Sequence, residues 1–424
     1  APAGAPATQG FLFGPRGLAL NRAGELIVVS TGVDRLNRIT SDGRIFDLAG
    51  LAGGCCFDGR QAMQALLDGP VGVTVDSQDR VVFSMVNSPR IRRIARDGVI
   101  STIAGTGVQG FAGDGGPATN AQFNGPAGLA YDAQGNLYVA DQSNRRVRRI
   151  GTDGIVRTVA GNGETGSSGD GGPALEASFR LPWAVAVTPN GDLLIADLSD
   201  HRVRRVEANG VISTFAGTGR AESSGDGGPA REASIRTPSG LYVDRAGNVY
   251  VLERDGHRVR RIDVNGNIST VAGVGEAGYS GDGGPATEAT LRFPILGLTG
   301  DDAGNLYIAD TGNNRVRVVS ASSAGGLLAA PGQLRLEARP GEMSEVAIVN
   351  VRAQTAGLPL SIVEETANGG LWLFAIGGRN VTPEAVFVFA DASSLGPGVY
   401  QGSIRVSAPG QESIIIPVTL TVRN

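Results

Sequence analysis

Short apolar runs, separated by polar turns, recur along most of the chain. In residues 127–160 they read AGLAYD, LYVAD, RVRRI and IVRTVAG, each of strand length and bounded by glycine, asparagine or aspartate. Gly135-Asn136 separates the first two runs. Asp153-Gly154 separates the last two and returns as Asp42-Gly43, Asp97-Gly98, Asn209-Gly210 and Asn265-Gly266. Asp-Gly and Asn-Gly suit a two-residue hairpin, which needs positive φ at both positions. The pattern predicts four antiparallel strands per unit.

The unit repeats. Pro126, Pro182 and Pro238 are 56 residues apart; Pro70 and Pro294 extend the series at the same spacing, and Pro15 lies 55 residues before Pro70. Six repeats of four hairpin-linked strands predict an all-β, six-bladed β-propeller rather than an open solenoid. Pro6 stands nine residues before Pro15, as Pro117 does before Pro126. The N-terminal tail therefore reads as the second half of an inter-blade loop. GGLLAA in residues 325–330 is in register with the fourth strand of the fifth unit and is expected to supply the outer strand of the last blade. After Pro331 the repeat stops. About 90 residues of alternating pattern follow, which suits a small β-sandwich. The expected domains are residues 1–330 and 331–424.

The segments NLYVADQSNRRVRRI and LLIADLSDHRVRRV resemble NHL repeats, whose signature centres on an Asn/Asp-His-Arg-Val turn. The resemblance spans residues 11–320 and is clearest in the third to sixth units; Ser30 and Met85 replace the acid found at Asp141, Asp197, Glu253 and Asp310. It implies a propeller that serves as a binding platform, since only a minority of such propellers are enzymes. Trp372-Leu373, LGPGVY from Leu395 and the terminal VTLTV resemble bacterial immunoglobulin-like modules of the BACON type, which accompany secreted and surface proteins. Trp372 is read as core rather than as a sugar platform.

Composition sharpens this picture. The 65 glycines, 21 prolines and 5% aromatic content fit many short strands and loops. No run approaches the roughly 20 apolar residues of a membrane-spanning helix, so no membrane insertion is expected. All 37 basic residues are arginine, which excludes Schiff-base chemistry and a lysine-bearing phosphate loop. The net charge of −4, and arginines interleaved with acids without stacking aromatics, argue against nucleic acid. The N-terminal APAGAPATQG reads as a mature end after signal-peptide removal, although a truncation would look the same; with the bacterial resemblance above, a secreted, periplasmic or cell-surface location is expected.

Candidate chemistry gathers in long inter-blade loops such as GTGVQGFAGDGGPATNAQF and GVGEAGYSGDGGPATEATL, expected together on one face. Their variable centres hold Cys55, Cys56, Phe111 and Tyr279, the candidate ligand contacts. The loop acids Asp58, Asp114, Asp170, Asp226 and Asp282 are expected to be structural, pairing with arginines or capping backbone. One carboxylate per loop falls short of the six to eight oxygens calcium takes. His201 and His257 hold one position in adjacent repeats, too few for a catalytic metal site, so neither metal nor cofactor is expected. Cys55 and Cys56 can pair only with each other or with another molecule. In an exported protein a vicinal disulfide is expected, and two free thiols are the alternative. The function expected is binding or adhesion toward a glycan, peptide or protein, identical subunits included. The alternative is a lyase or hydrolase whose acids converge in the central channel.

Overall fold

A computed structural model of the chain describes residues 4–50, 58–320, 327–331, 333–352, 359–367, 370–377, 381, 384–408 and 413–423. The chain divides into two compact units, Ala1–Val319 and Ser320–Asn424.

The four runs of the third repeat form strands Pro126–Tyr131, Leu137–Asp141, Arg146–Ile150 and Val156–Ala160, paired in chain order in one antiparallel sheet. Six such sheets follow one another along the first unit. The second to fifth have four strands, the first gains a short fifth from Ala5–Pro6, and the sixth has three among the described residues. In the first five sheets the innermost strand is irregular just after its proline, where a bulge interrupts the pairing. There the sheets crowd together: a Cβ added to Gly17 would lie 2.5 Å from the Val71 carbonyl oxygen of the next sheet. Only glycine allows that approach.

Each sheet buries its apolar face on the next. Ile27, Val29 and Leu36 of the first share a core with Val73, Val81 and Phe83 of the second, and Val82 and Ile91 of the second meet Leu129 and Val139 of the third. The series closes on itself. Leu18 and Val28 of the first sheet pack with Ala309 of the sixth. Thr311 Oγ1 donates to the Pro15 carbonyl at 2.6 Å, and the Gly14 N–H donates to Asn314 Oδ1 at 2.8 Å. This is the ring arrangement of a β-propeller.

The inter-blade loops differ from expectation. The second halves of the loops leading into the second to fifth sheets do not stand free on a face; each runs outward and folds along the outer strand of the next sheet. Gly115 N–H donates to the Val156 carbonyl, Val156 N–H to Gly116, and Ala118 N–H to Gly154. Pro117, Pro173 and Pro229 bridge Ile155, Val211 and Asn267, and Ala5–Pro6 pairs with Ile45 and Arg44 at the matching place in the first sheet. The physical reason is the edge. An uncovered outer strand offers unpaired backbone groups, and a proline-bearing strip both satisfies them and blocks further pairing. A single 3₁₀ turn then leads back inward, as at Ala118–Asn120 and Ala174–Glu176.

In the second unit one sheet orders Leu328–Ala330, Ala347–Arg352, Glu384–Ala390 and Leu373–Gly377; the other orders Leu334–Ala338, Ile414–Val422, Gly398–Ser407 and Ser361–Thr366. They share one core, with Val349, Val386 and Val388 facing Ile404, Val406, Val418 and Leu420. Trp372 is buried in it, 2% exposed. Leu328–Ala330 pairs with Ala347–Arg352, not with the sixth sheet of the ring. The expected outer strand at residues 325–330 and the boundary after residue 330 are therefore corrected: the second unit begins at Ser320 and takes this strand for its own edge.

Candidate functional site

The loop aspartates clamp each inter-blade loop to the sheet that follows it. Asp114 accepts from Arg148 Nη2 at 2.6 Å and Nε at 3.0 Å, and from the Thr158 hydroxyl at 2.5 Å. Asp58 does the same with Arg92 and Thr102, Asp170 with Arg204 and Thr214, and Asp226 with Arg260 and Thr270. Asp282 pairs with Arg317. Each of Arg92, Arg148, Arg204 and Arg260 is fully buried. In the third to sixth sheets a second, buried acid, Asp141, Asp197, Glu253 or Asp310, sits at the end of the second strand. Asp141 lies 3.6 Å from Arg148, and Glu253 lies 3.1 Å from Arg260. Burial pushes the carboxyls of Asp141 and Asp197 up to about 6, while the hydrogen bonds they accept work the other way.

The first sheet, without this arginine, makes the same tie by other means. Asn37 Nδ2 donates to Asp47 Oδ1 at 2.8 Å, and Arg35 reaches the other oxygen at 2.8 Å.

The two histidines are staples. His201 has φ 55° and His257 φ 50°, each closing the turn between its second and third strands. Their Nδ1 atoms accept backbone N–H groups of the following sheet, Thr237 at 3.0 Å and Phe293 at 3.2 Å. Asp34 and Asn314 hold the same turn position and accept from Gly69 and Gly14. Burial lowers both imidazoles below the ordinary histidine value, which favours the neutral form that can accept. Among the described residues no group of three or more His, Cys, Asp or Glu is placed to hold a metal.

Phe111 and Tyr279 occupy equivalent loop positions and are half exposed. Each ring lies against two arginines of the sheet below. Arg146 is 3.9 Å from the Phe111 centroid and Arg315 is 4.4 Å from that of Tyr279. The Tyr279 hydroxyl is also spent, donating to Asp282 at 2.7 Å. Cys55 and Cys56, with their expected disulfide, lie outside the described residues.

A broad concavity lies elsewhere, on the face of the short first-to-second and third-to-fourth turns. A basin of about 1160 Å³ is lined by the turns between first and second strands around Asn21, Gln78, Asp132 and Asp301, together with the Gly151–Gly154 turn. Leu20, Val75 and Tyr131 line both this basin and the central channel of about 270 Å³. Tyr131 and Tyr242 flank the channel, and burial pushes both phenols up to about 12. No carboxylate lines the channel among the described residues.

The acids at the basin's rim are engaged in building it. Asp132 accepts from the backbones of Gln134 and Asn136 and from Asn136 Nδ2 at 2.7 Å. Asp76 holds Arg80 Nε at 2.7 Å, and Asp302 pairs with Arg245 at 2.8 Å. At Asp301 partial burial works against the charge, yet hydrogen bonds from Asn305 hold the carboxyl below its usual range. These carboxylates serve as acceptors in turns and ion pairs. Neutral polar groups, among them Asn21, Ser77, Gln78 and Thr152, fill out the lining.

Sequence reasoning missed this basin. Its residues belong to short turns whose side chains cap their own backbone, so each reads as local structure; only closing the ring brings them around one hollow.

Comparison with known proteins follows the repeats. The Teneurin NHL domain family matches residues 107–168 and 217–278, and the NHL repeat family matches residues 179–206. Teneurin-1 of Gallus gallus is 28% identical over 283 residues, which is 59% of this chain but only 10% of that protein. A crystal structure of an auxiliary nutrient binding protein from Bacteroides thetaiotaomicron superposes with a TM-score of 0.53 at 14% identity, covering 73% of this chain and 69% of that one. A gluconolactonase from Xanthomonas campestris gives 0.50 at 17% identity, covering 73% and 86%. At such identities the two structures share the fold with this chain.

Proposed function

Because the chain belongs to the NHL-repeat family, we propose that its first unit is a six-bladed binding propeller that holds a hydroxyl-rich ligand, a glycan above all, in the basin on its short-turn face. The observation that carries this reading is the basin itself. It is wide, open to the channel, and walled by amide, hydroxyl and guanidinium groups on rigid hairpin turns, which suits a polar ligand. The similarity of the fold to a nutrient binding protein is in keeping with it. The second unit is read as an immunoglobulin-like sandwich that accompanies the propeller. A secreted or cell-surface location belongs to the same proposal; among the described residues no helix is long and apolar enough to cross a membrane.

A hydrolase or lyase using the same basin is the competing reading, supported by the fold of the gluconolactonase and by carboxylates at the rim. Against it, those carboxylates are already committed to turn hydrogen bonds and ion pairs, and the acids with raised pKa, Asp141 and Asp197, are buried at the ends of second strands, outside the channel lining.

A glycan array with the intact chain tests the proposal. Wild type is expected to retain a defined set of saccharides. Ala133→Trp and Ala303→Trp, which fill the basin from exposed positions, are expected to lose them with unchanged melting temperature. Retention by both variants, or turnover of a bound saccharide, would overturn it.

A further inference from the structure

We propose that the outer edge of the sixth sheet receives a β-strand from another polypeptide, an extended segment of the pattern Val/Ile-x-Ser/Thr-x-Ala. The four preceding sheets define what that edge takes. In each, the third strand is covered by a fourth in one register. Val147 pairs with Ala160, Arg148 with Thr158 and Ile150 with Val156, and the same pairing recurs at Ile91–Ala104, Val203–Ala216 and Val259–Ala272. The covering strand buries one β-branched residue, Ile100, Val156, Ile212 or Ile268, each 0% exposed. Its threonine hydroxyl donates to the loop aspartate, at 3.1 Å from Thr102 and 2.7 Å from Thr214 and Thr270.

The sixth sheet has kept its half of this arrangement. Arg315–Val319 pairs on one side with Leu306–Asp310, and among the described residues nothing pairs with its other side. Val316 and Val319 are part-exposed, where their counterparts Val147 and Ile150 are buried, and Val318 is 55% exposed. Arg317 still pairs with Asp282 at 2.5 Å, so the receiving carboxylate is in place. Where the second to fifth sheets offer that carboxylate a threonine, here the exposed hydroxyl of Tyr279 occupies it.

The chain's own downstream residues do not match the pattern. Leu328–Ala330 is engaged by Ala347–Arg352, and residues 321–326 read ASSAGG, without the β-branched residue and threonine that the covering strands of the second to fifth sheets provide. An uncovered strand with alternating valines is a template for strand addition, in which backbone bonds give affinity and side-chain positions give selectivity. Its occupant is thus defined by chemistry: a neutral, extended, β-branched segment with a hydroxyl to meet Asp282.

The octapeptide GNISTVAG, the sequence of residues 266–273, is the probe. Labelled and titrated into the intact chain, it is expected to raise fluorescence anisotropy saturably and to slow amide exchange at residues 315–319. A peptide carrying Thr270→Val should bind about tenfold more weakly, through loss of one hydrogen bond to a charged group. One carrying Ile268→Asp should not bind. Absence of saturable binding, equal binding of all three peptides, or protection of residues 315–319 before any peptide is added would overturn the proposal. The last result would mean that the chain fills the edge itself.

Discussion

His201 and His257 adopt left-handed backbone, which asparagine tolerates better than most residues, and asparagine stands there at the ring's closure as Asn314. The requirement at this position is an acceptor at the right height, not an imidazole. As pH falls, the unfolded chain takes up protons near 6.5 and the folded chain only below that, so the histidines' contribution is full above 6.5 and drains beneath it. Asp141 and Asp197 act in the opposite sense. Their folded value of about 6 lies above the ordinary 3.8, so their contribution is full below 3.8 and lost as pH rises toward 6. His201→Asn is therefore expected to keep the Thr237 N–H satisfied and to flatten the fall of melting temperature below pH 6.5. His201→Ala orphans that N–H and should cost about 1–3 kcal/mol above pH 6.5, and less as the pH falls and wild type loses its own acceptor. Thermal melts between pH 4 and 8 check both; an asparagine variant as acid-sensitive as wild type would contradict the assignment.

Between elements, the buried arginine of the third strand in the second to fifth sheets ties a loop to two strands, and the sheets differ in how completely it is satisfied. Arg148 donates to Asp114, to the Gln122 and Ala112 carbonyls, and lies beside buried Asp141. Arg204 reaches Asp170 and the Ser168 carbonyl, but its Nε and Nη1 have no partner among the described residues. Arg148→Leu strands Asp141 without its cation and should cost about 3–5 kcal/mol; Arg204→Leu should cost distinctly less, because it removes two unmet donors as well. Urea denaturation of the two variants checks the order, and equal losses would contradict it. The aspartate–arginine pairing could be read in the sequence, since one acid per loop faced a recurring basic strand. The course of the loops could not. Their glycines read as exposed binding loops because a strip lying along an edge strand has no alternating pattern, and only its prolines hint at the role.

At the scale of the molecule, repeat spacing and hairpin turns predicted the series of antiparallel sheets, because proline position and Asp-Gly chemistry are local signals. Two features escaped. Leu328–Ala330 was in register with a blade strand, yet a three-residue apolar run fits either of two edges, and the choice depends on distant partners at Ala347–Arg352. The basin escaped because it is a property of ring closure rather than of any segment. The account therefore rests on which face of the propeller is the working one. Hydrogen–deuterium exchange of the intact chain, with and without a saturating saccharide taken from the array, decides this directly. Slowed exchange at residues 20–24, 75–80, 131–135 and 300–303 is the result the account predicts. Slowed exchange at residues 106–115 and 276–282, with the short turns unchanged, would contradict it and return the binding site to the long loops.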